Sequence, residues 1–105
     1  MDKKQDLKKE LKNFKFRLSK RLPIDKIIFF GSSAKGKEHE YSDIDLIIIS
    51  PKFRGIEFRY RSLGFYKYWN LSKPIDFLCY TPEEFNKLKK QITIVREAAK
   101  EGIEI

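Results

Sequence analysis

A chain of 105 residues and 12.6 kDa has room for one compact domain, residues 1–105, with a single core, and excludes a catalytic domain carried beside a separate acceptor-binding domain. A 41% hydrophobic share with 14% aromatics excludes a disordered tail in spite of 36% charged residues. The net charge of +8 comes entirely from the front: residues 1–37 hold twelve Lys/Arg and four Asp/Glu, whereas residues 38–105 hold eleven of each. Such a front attracts polyphosphate, nucleic acid or an acidic protein, or simply keeps a helix face solvated. No run is long enough to span a membrane, the charged N-terminus lacks a signal-type apolar stretch, and the lone Cys79 can form no internal disulfide. These features predict a cytoplasmic protein that engages no membrane.

In chain order, Leu7, Leu11, Phe14 and Leu18 recur at spacings of four, three and four, one apolar stripe on a helix predicted over Lys3–Arg21 and ended by Pro23. Ile24–Phe30 reads as a strand closed by Gly31. Ser33–Lys37 reads as a short helical turn and Glu38–Ser42 as a charged loop that includes the only histidine, His39. Asp45–Ile49 is too uniformly apolar for a half-exposed strand, which places it mid-sheet, buried on both faces and stopped by Pro51. Gly55–Trp69 has a helical pattern so rich in aromatics (Phe58, Tyr60, Phe65, Tyr66, Tyr68, Trp69) that they cannot all face one core; they meet another chain or stand half-exposed as amphipathic residues do. Pro74 opens a third strand, Ile75–Tyr80. Thr81-Pro82-Glu83-Glu84 is a helix start with Thr81 as N-cap and Glu84 completing a capping box. A last helix over Thr93–Glu101 should end at Gly102 in left-handed conformation, leaving Ile103-Glu104-Ile105 as an apolar tail.

Two segments carry chemistry. Asp43 and Asp45, two apart at the start of a strand, project from one face about 6 to 7 Å apart at the backbone. Ionised carboxylates in a buried sheet are costly unless a cation or hydrogen bonds compensate them. An all-oxygen site suits magnesium, which shares its remaining positions with water and phosphate; zinc would want histidine or cysteine. Asp76, alternating with Ile75 and Phe77, can close the site if the third strand pairs beside the second; alone it would read as an edge residue facing water. Gly31 lets the chain bend without a side chain obstructing phosphates, Ser32 offers a hydroxyl, and the amides of Ser33 and its neighbours can point at an anion. Lys35 and Lys37 are placed to neutralise a triphosphate, although lysines in a turn are ordinarily just solvated. A Gly-Ser turn is common; one that follows a strand and precedes Asp-x-Asp by ten intervening residues is far more specific. Neither a P-loop nor a Gly-x-Gly-x-x-Gly turn occurs.

Gly31-Ser32-Ser33-Ala34-Lys35-Gly36, Ser42-Asp43-Ile44-Asp45-Leu46 and Ile75-Asp76-Phe77 together resemble the minimal nucleotidyltransferases of the polymerase-beta-like superfamily, over most of the chain. The resemblance implies an α/β (α+β) fold, a small palm-like mixed sheet of three to four strands flanked by helices, and transfer of a nucleoside monophosphate from ATP or a relative. It implies that Gly31 and Ser32 hold the triphosphate and that Asp43 and Asp45 bind two Mg2+ ions. Asp76 would share one ion and help deprotonate the acceptor hydroxyl. Lys35 stands where the family usually has arginine, which keeps the charge and loses the bidentate fork. Small relatives pair with a helical HEPN-family protein as antitoxin and toxin, the antitoxin adenylylating a toxin tyrosine, and the resemblance implies such a partner here. A non-catalytic antitoxin that neutralises its partner by binding alone is the alternative, with the intact set of three carboxylates against it. A nucleic-acid role for the basic front ranks last, because no base-stacking platform accompanies those lysines and the first helix buries its aromatic Phe14 on its own apolar stripe. Nucleotide preference and self-association stay open.

Overall fold

The computed structural model describes residues 3–31, 34, 44–69 and 74–105. The helical turn expected over Ser33–Lys37 and the loop with His39 fall, apart from Ala34, outside them. Helix α1 (Lys3–Ser19) buries Leu7, Leu11, Phe14 and Leu18, as the stripe requires. It ends two residues before Arg21, because the amides of Arg21 and Leu22 both turn back to the Leu18 carbonyl at 2.9 and 3.2 Å.

Strands β1 (Lys26–Phe30), β2 (Ile44–Ile49) and β3 (Ile75–Tyr80) and a two-residue strand β4 (Ile103–Glu104) form one mixed sheet in the order β3-β2-β1-β4. β1 is antiparallel to β2 and β4, and β2 is parallel to β3. Alternation sorts the side chains onto two faces. Ile27, Phe29, Ile44, Leu46, Ile48, Ile75 and Cys79 meet α1, with Phe14 stacked on Phe77 at 5.6 Å between ring centroids and edge-on to Trp69. On the other face, Ile28, Phe30, Ile47 and Ile49 pack against Phe85 of α2 (Pro82–Leu88) and Val95 and Ala98 of α3 (Ile94–Glu101). β2 is thus central and buried on both faces, as its unbroken apolar run predicts. Among the described residues no helix is long and apolar enough to cross a membrane.

Three expectations are corrected. Residues 55–69 form no continuous helix. Between β2 and β3 the described residues 50–69 form 3-10 turns at Pro51–Phe53, Phe58–Tyr60 and Phe65–Tyr68, with Gly64 at φ +82° before the last. The side chains of this segment answer to β3 rather than to a helical period. The β2-side amides of Ile44 and Ser50 bond to the carbonyls of Pro74 and Tyr80 (2.9 and 3.0 Å), so the even-numbered carbonyls along β3 face β2 and the odd-numbered ones face outward. Two of the outward ones are taken by the crossing segment, Cys79 O by Arg61 Nη1 at 3.1 Å and Ile75 O by Tyr66 Oη at 3.2 Å.

Gly102, second, is extended (φ −73°, ψ 167°) and not left-handed. Glycine is needed there for closeness, since a Cβ would run into Ala98 O and Ile28 Cγ2. Third, the C-terminal residues are an edge strand: Ile103 and Glu104 pair with Phe29 and Ile28, and the Ile105 amide donates to Ile27 O at 2.8 Å. The capping box is as predicted, with Glu84 N donating to Thr81 Oγ1 (3.1 Å) and Thr81 N to Glu84 Oε1 (2.8 Å). Thr93 caps α3 by accepting from Arg96 N at 3.1 Å.

Candidate active site

β1 delivers Gly31 to the end of the sheet at which β2 and β3 begin. The register there is Phe30 opposite Asp45 across the antiparallel pair and Asp45 opposite Asp76 across the parallel pair. Register partners emerge on the same face, so Asp45 and Asp76 stand side by side, about 4.8 Å apart as neighbouring strands are. Their face is the one that carries α2 and α3. Asp45 is half-buried and Asp76 exposed, each at the second position of its strand, where the sheet opens to solvent.

Gly31 is built against the Asp45 carboxylate. Its φ of +88° is a conformation that L side chains rarely adopt, and a Cβ there would lie 2.5 Å from Asp45 Oδ2. The turn therefore needs glycine twice over, once for the bend and once for the carboxylate beside it. Beyond it opens a cleft of about 130 Å³, with Phe30, Gly31 and Asp45 on the sheet side and Ile94, Glu97, Ala98 and Glu101 of α3 opposite.

Of the residues singled out in the sequence, the structure thus brings Gly31, Asp45 and Asp76 together, while Ser32, Ser33, Lys35 and Asp43 lie outside the described residues. Among the described residues no three His, Cys, Asp or Glu converge as a metal site. The contribution of α3 was not foreseen; Glu97 and Glu101 stand one helical turn apart, and the packing of Ala98 against the sheet brings them to the cleft. Cys79 has no part in it. It points to the α1 face, and burial pushes its thiol up to about 12 against a smaller opposing effect of the Arg61 charge, which suits the packing role expected of it.

The chain belongs to the nucleotidyltransferase domain family, whose model matches residues 11–101. It is accordingly a transferase of nucleotidyl groups, of a family that works on nucleoside triphosphates with a divalent metal. Among solved structures, a crystal structure of a Sulfolobus solfataricus protein assigned as a nucleotidyltransferase is similar, with a TM-score of 0.67 and 16% sequence identity over 96% of this chain and 80% of that one. At that identity the likeness speaks for the fold, the mixed sheet between helices, and for nothing finer. Comparison with curated proteins finds no match.

Proposed function

We propose that this nucleotidyltransferase moves AMP from ATP onto a hydroxyl of a protein partner, a tyrosine of a helical HEPN-type toxin, with Asp43, Asp45 and Asp76 as its carboxylates. The observation that carries this reading is the pairing of Asp45 with Asp76 on one face, with Gly31 seated on the Asp45 carboxylate.

The donor set fits magnesium: two carboxylates from adjacent strands, all oxygen, at an end of the sheet open to water and to a ligand's phosphates. Asp45 and Asp76 would hold the metal with Asp43, and bound magnesium, two ions in this reading, supplies charge neutralisation on the triphosphate and acidifies the acceptor hydroxyl. The remaining work belongs to the chain. Gly31, having no side chain, leaves the approach to Asp45 clear for a phosphate, which the amides and hydroxyls of Ser32 and Ser33 and the ammonium of Lys35 are suited to hold. The exposed Asp76 carboxylate accepts the acceptor's proton. As the acceptor oxygen bonds to the α-phosphorus, the bond from that phosphorus to the bridging oxygen breaks and pyrophosphate leaves with the electron pair. A protein acceptor is supported by Ile56, Phe58, Tyr60, Leu63 and Tyr66, large apolar side chains 43 to 70% exposed within eleven residues of the crossing segment.

The test is incubation with the product of the neighbouring gene, α-labelled ATP and magnesium. Label on a partner tyrosine is expected, reduced roughly a hundredfold or more in Asp45→Asn and Asp76→Asn. An unlabelled partner that is nevertheless neutralised, equally well by both variants, would establish the binding-only alternative instead.

A further inference from the structure

The excess positive charge gathers on α1: from Lys3 to Arg21 the sequence has nine Lys/Arg and two Asp/Glu. Folding brings a ring from far along the chain beside those cations. Tyr68, 47 residues further along, comes to the end of α1, where Arg21 Nη1 lies 3.4 Å from its hydroxyl. Arg17, Lys20, Arg21 and Tyr68 line an open concavity of about 400 Å³. A second ring is reached through Lys20, which lines the concavity: Phe16, 65% exposed, has Lys20 Nζ 4.6 Å from its centroid. Lys67 Nζ lies 5.4 Å from the Tyr68 ring. Each ring thus has an ammonium or guanidinium group beside it, and among the described residues that line the concavity none is acidic.

We infer that this concavity binds single-stranded nucleic acid, its cations meeting phosphates and the rings of Tyr68 and Phe16 stacking bases. Cations alone would suit any polyanion. Ring faces set among them, Phe16 exposed and Tyr68 half-buried, distinguish an occupant that has flat bases between its charges from an acidic peptide that has none. The concavity is formed by α1, on the opposite face of the sheet from Asp45 and Asp76, so it is a second site and not an extension of the first. The inference does not rest on the acceptor proposed above.

Fluorescence anisotropy of a labelled twelve-nucleotide oligouridine with the whole chain, in the absence of nucleoside triphosphate, tests it. Binding is expected to weaken with salt with a slope in log K of about −2 to −3, as three or four phosphate contacts on a single strand give. Lys20→Ala with Arg21→Ala should flatten that slope and weaken binding about tenfold or more. Phe16→Ala, an exposed change, should weaken binding at least about fivefold and leave the slope unaltered, which separates stacking from charge. Asp45→Asn should bind as the wild type does, so failure of transfer and failure of this site are told apart. The inference is overturned if oligouridine does not bind, if Phe16→Ala and Tyr68→Leu variants with wild-type thermal stability keep full affinity, or if polyglutamate of equal charge competes as well as oligouridine, which would assign the surface to an acidic protein.

Discussion

Gly31 shows how closely one backbone atom group controls the site. Alanine at that position combines an unfavourable left-handed φ, about 1–2 kcal/mol, with a methyl group 2.5 Å from Asp45 Oδ2. Since the methyl group must push the carboxylate aside, Gly31→Ala is expected to lose most transfer activity while its melting temperature falls by roughly 5–15 °C and the chain stays folded at 25 °C; transfer activity equal to that of the wild type would show that the glycine does not position Asp45. Cys79 is the opposite case, a reactive residue type made inert by its surroundings. With its thiol pushed up from 9.0 to about 12, principally by burial, alkylation by iodoacetamide at pH 9 should be far slower in the folded chain than in urea. The same shift has a stability consequence of definite sign. Below pH 9 both folded and unfolded thiols are protonated and the stabilisation is whole; between 9 and about 12 the unfolded chain ionises first, so stability falls as pH rises through that window.

The elements that sequence made legible are those whose signals are local. α1 had a four-residue apolar stripe, β2 the apolar run Leu46–Ile49, and α2 a Thr-Pro-Glu-Glu start whose capping box formed as written. Gly31, Asp45 and Asp76 were legible because glycine at a strand end and carboxylates in apolar strands break a local pattern. The crossing segment was not legible, because its aromatics serve two distant targets, Phe65 the core and Tyr66 a carbonyl of β3, at a spacing that imitates a helix. Strand β4 was hidden by its length, since two residues have no period. Within the crossing segment Arg61 is the residue on which most depends. Its guanidinium, side chain only 8% exposed, holds both oxygens of Glu84 at 2.5 and 3.1 Å as well as Ile56 O and Cys79 O. Hydrogen bonding from Arg61 in the first place, with help from the Thr81 amide and against a burial effect, holds the Glu84 carboxyl below its ordinary 4.5. The stabilisation from that shift is therefore present above pH 4.5 and is lost as pH falls through the lowered value. Urea midpoints followed from pH 7 to pH 3 should drop less steeply in Glu84→Gln than in the wild type, and parallel curves would refute the assignment.

At the scale of the whole molecule, one sheet separates two layers of helices, and an aromatic stack ties the first helix and the crossing segment to it. Phe14, fully buried, touches Trp69 from the crossing segment and Phe77 from β3. Phe14→Ala should cost roughly 3–5 kcal/mol, a large part of the 5–15 kcal/mol typical of a domain, and calorimetry should show the chain melting as one unit at a lower temperature rather than losing α1 alone. What the sequence could not convey at this scale is adjacency between faces, such as Tyr68 reaching the end of α1. The covered flank of β3 has a further consequence. With the outward carbonyls of Ile75 and Cys79 engaged by Tyr66 and Arg61, a strand lent to lengthen the sheet by β-augmentation would first have to displace both side chains, whereas a protein that grips side chains, as a helical surface does, would not.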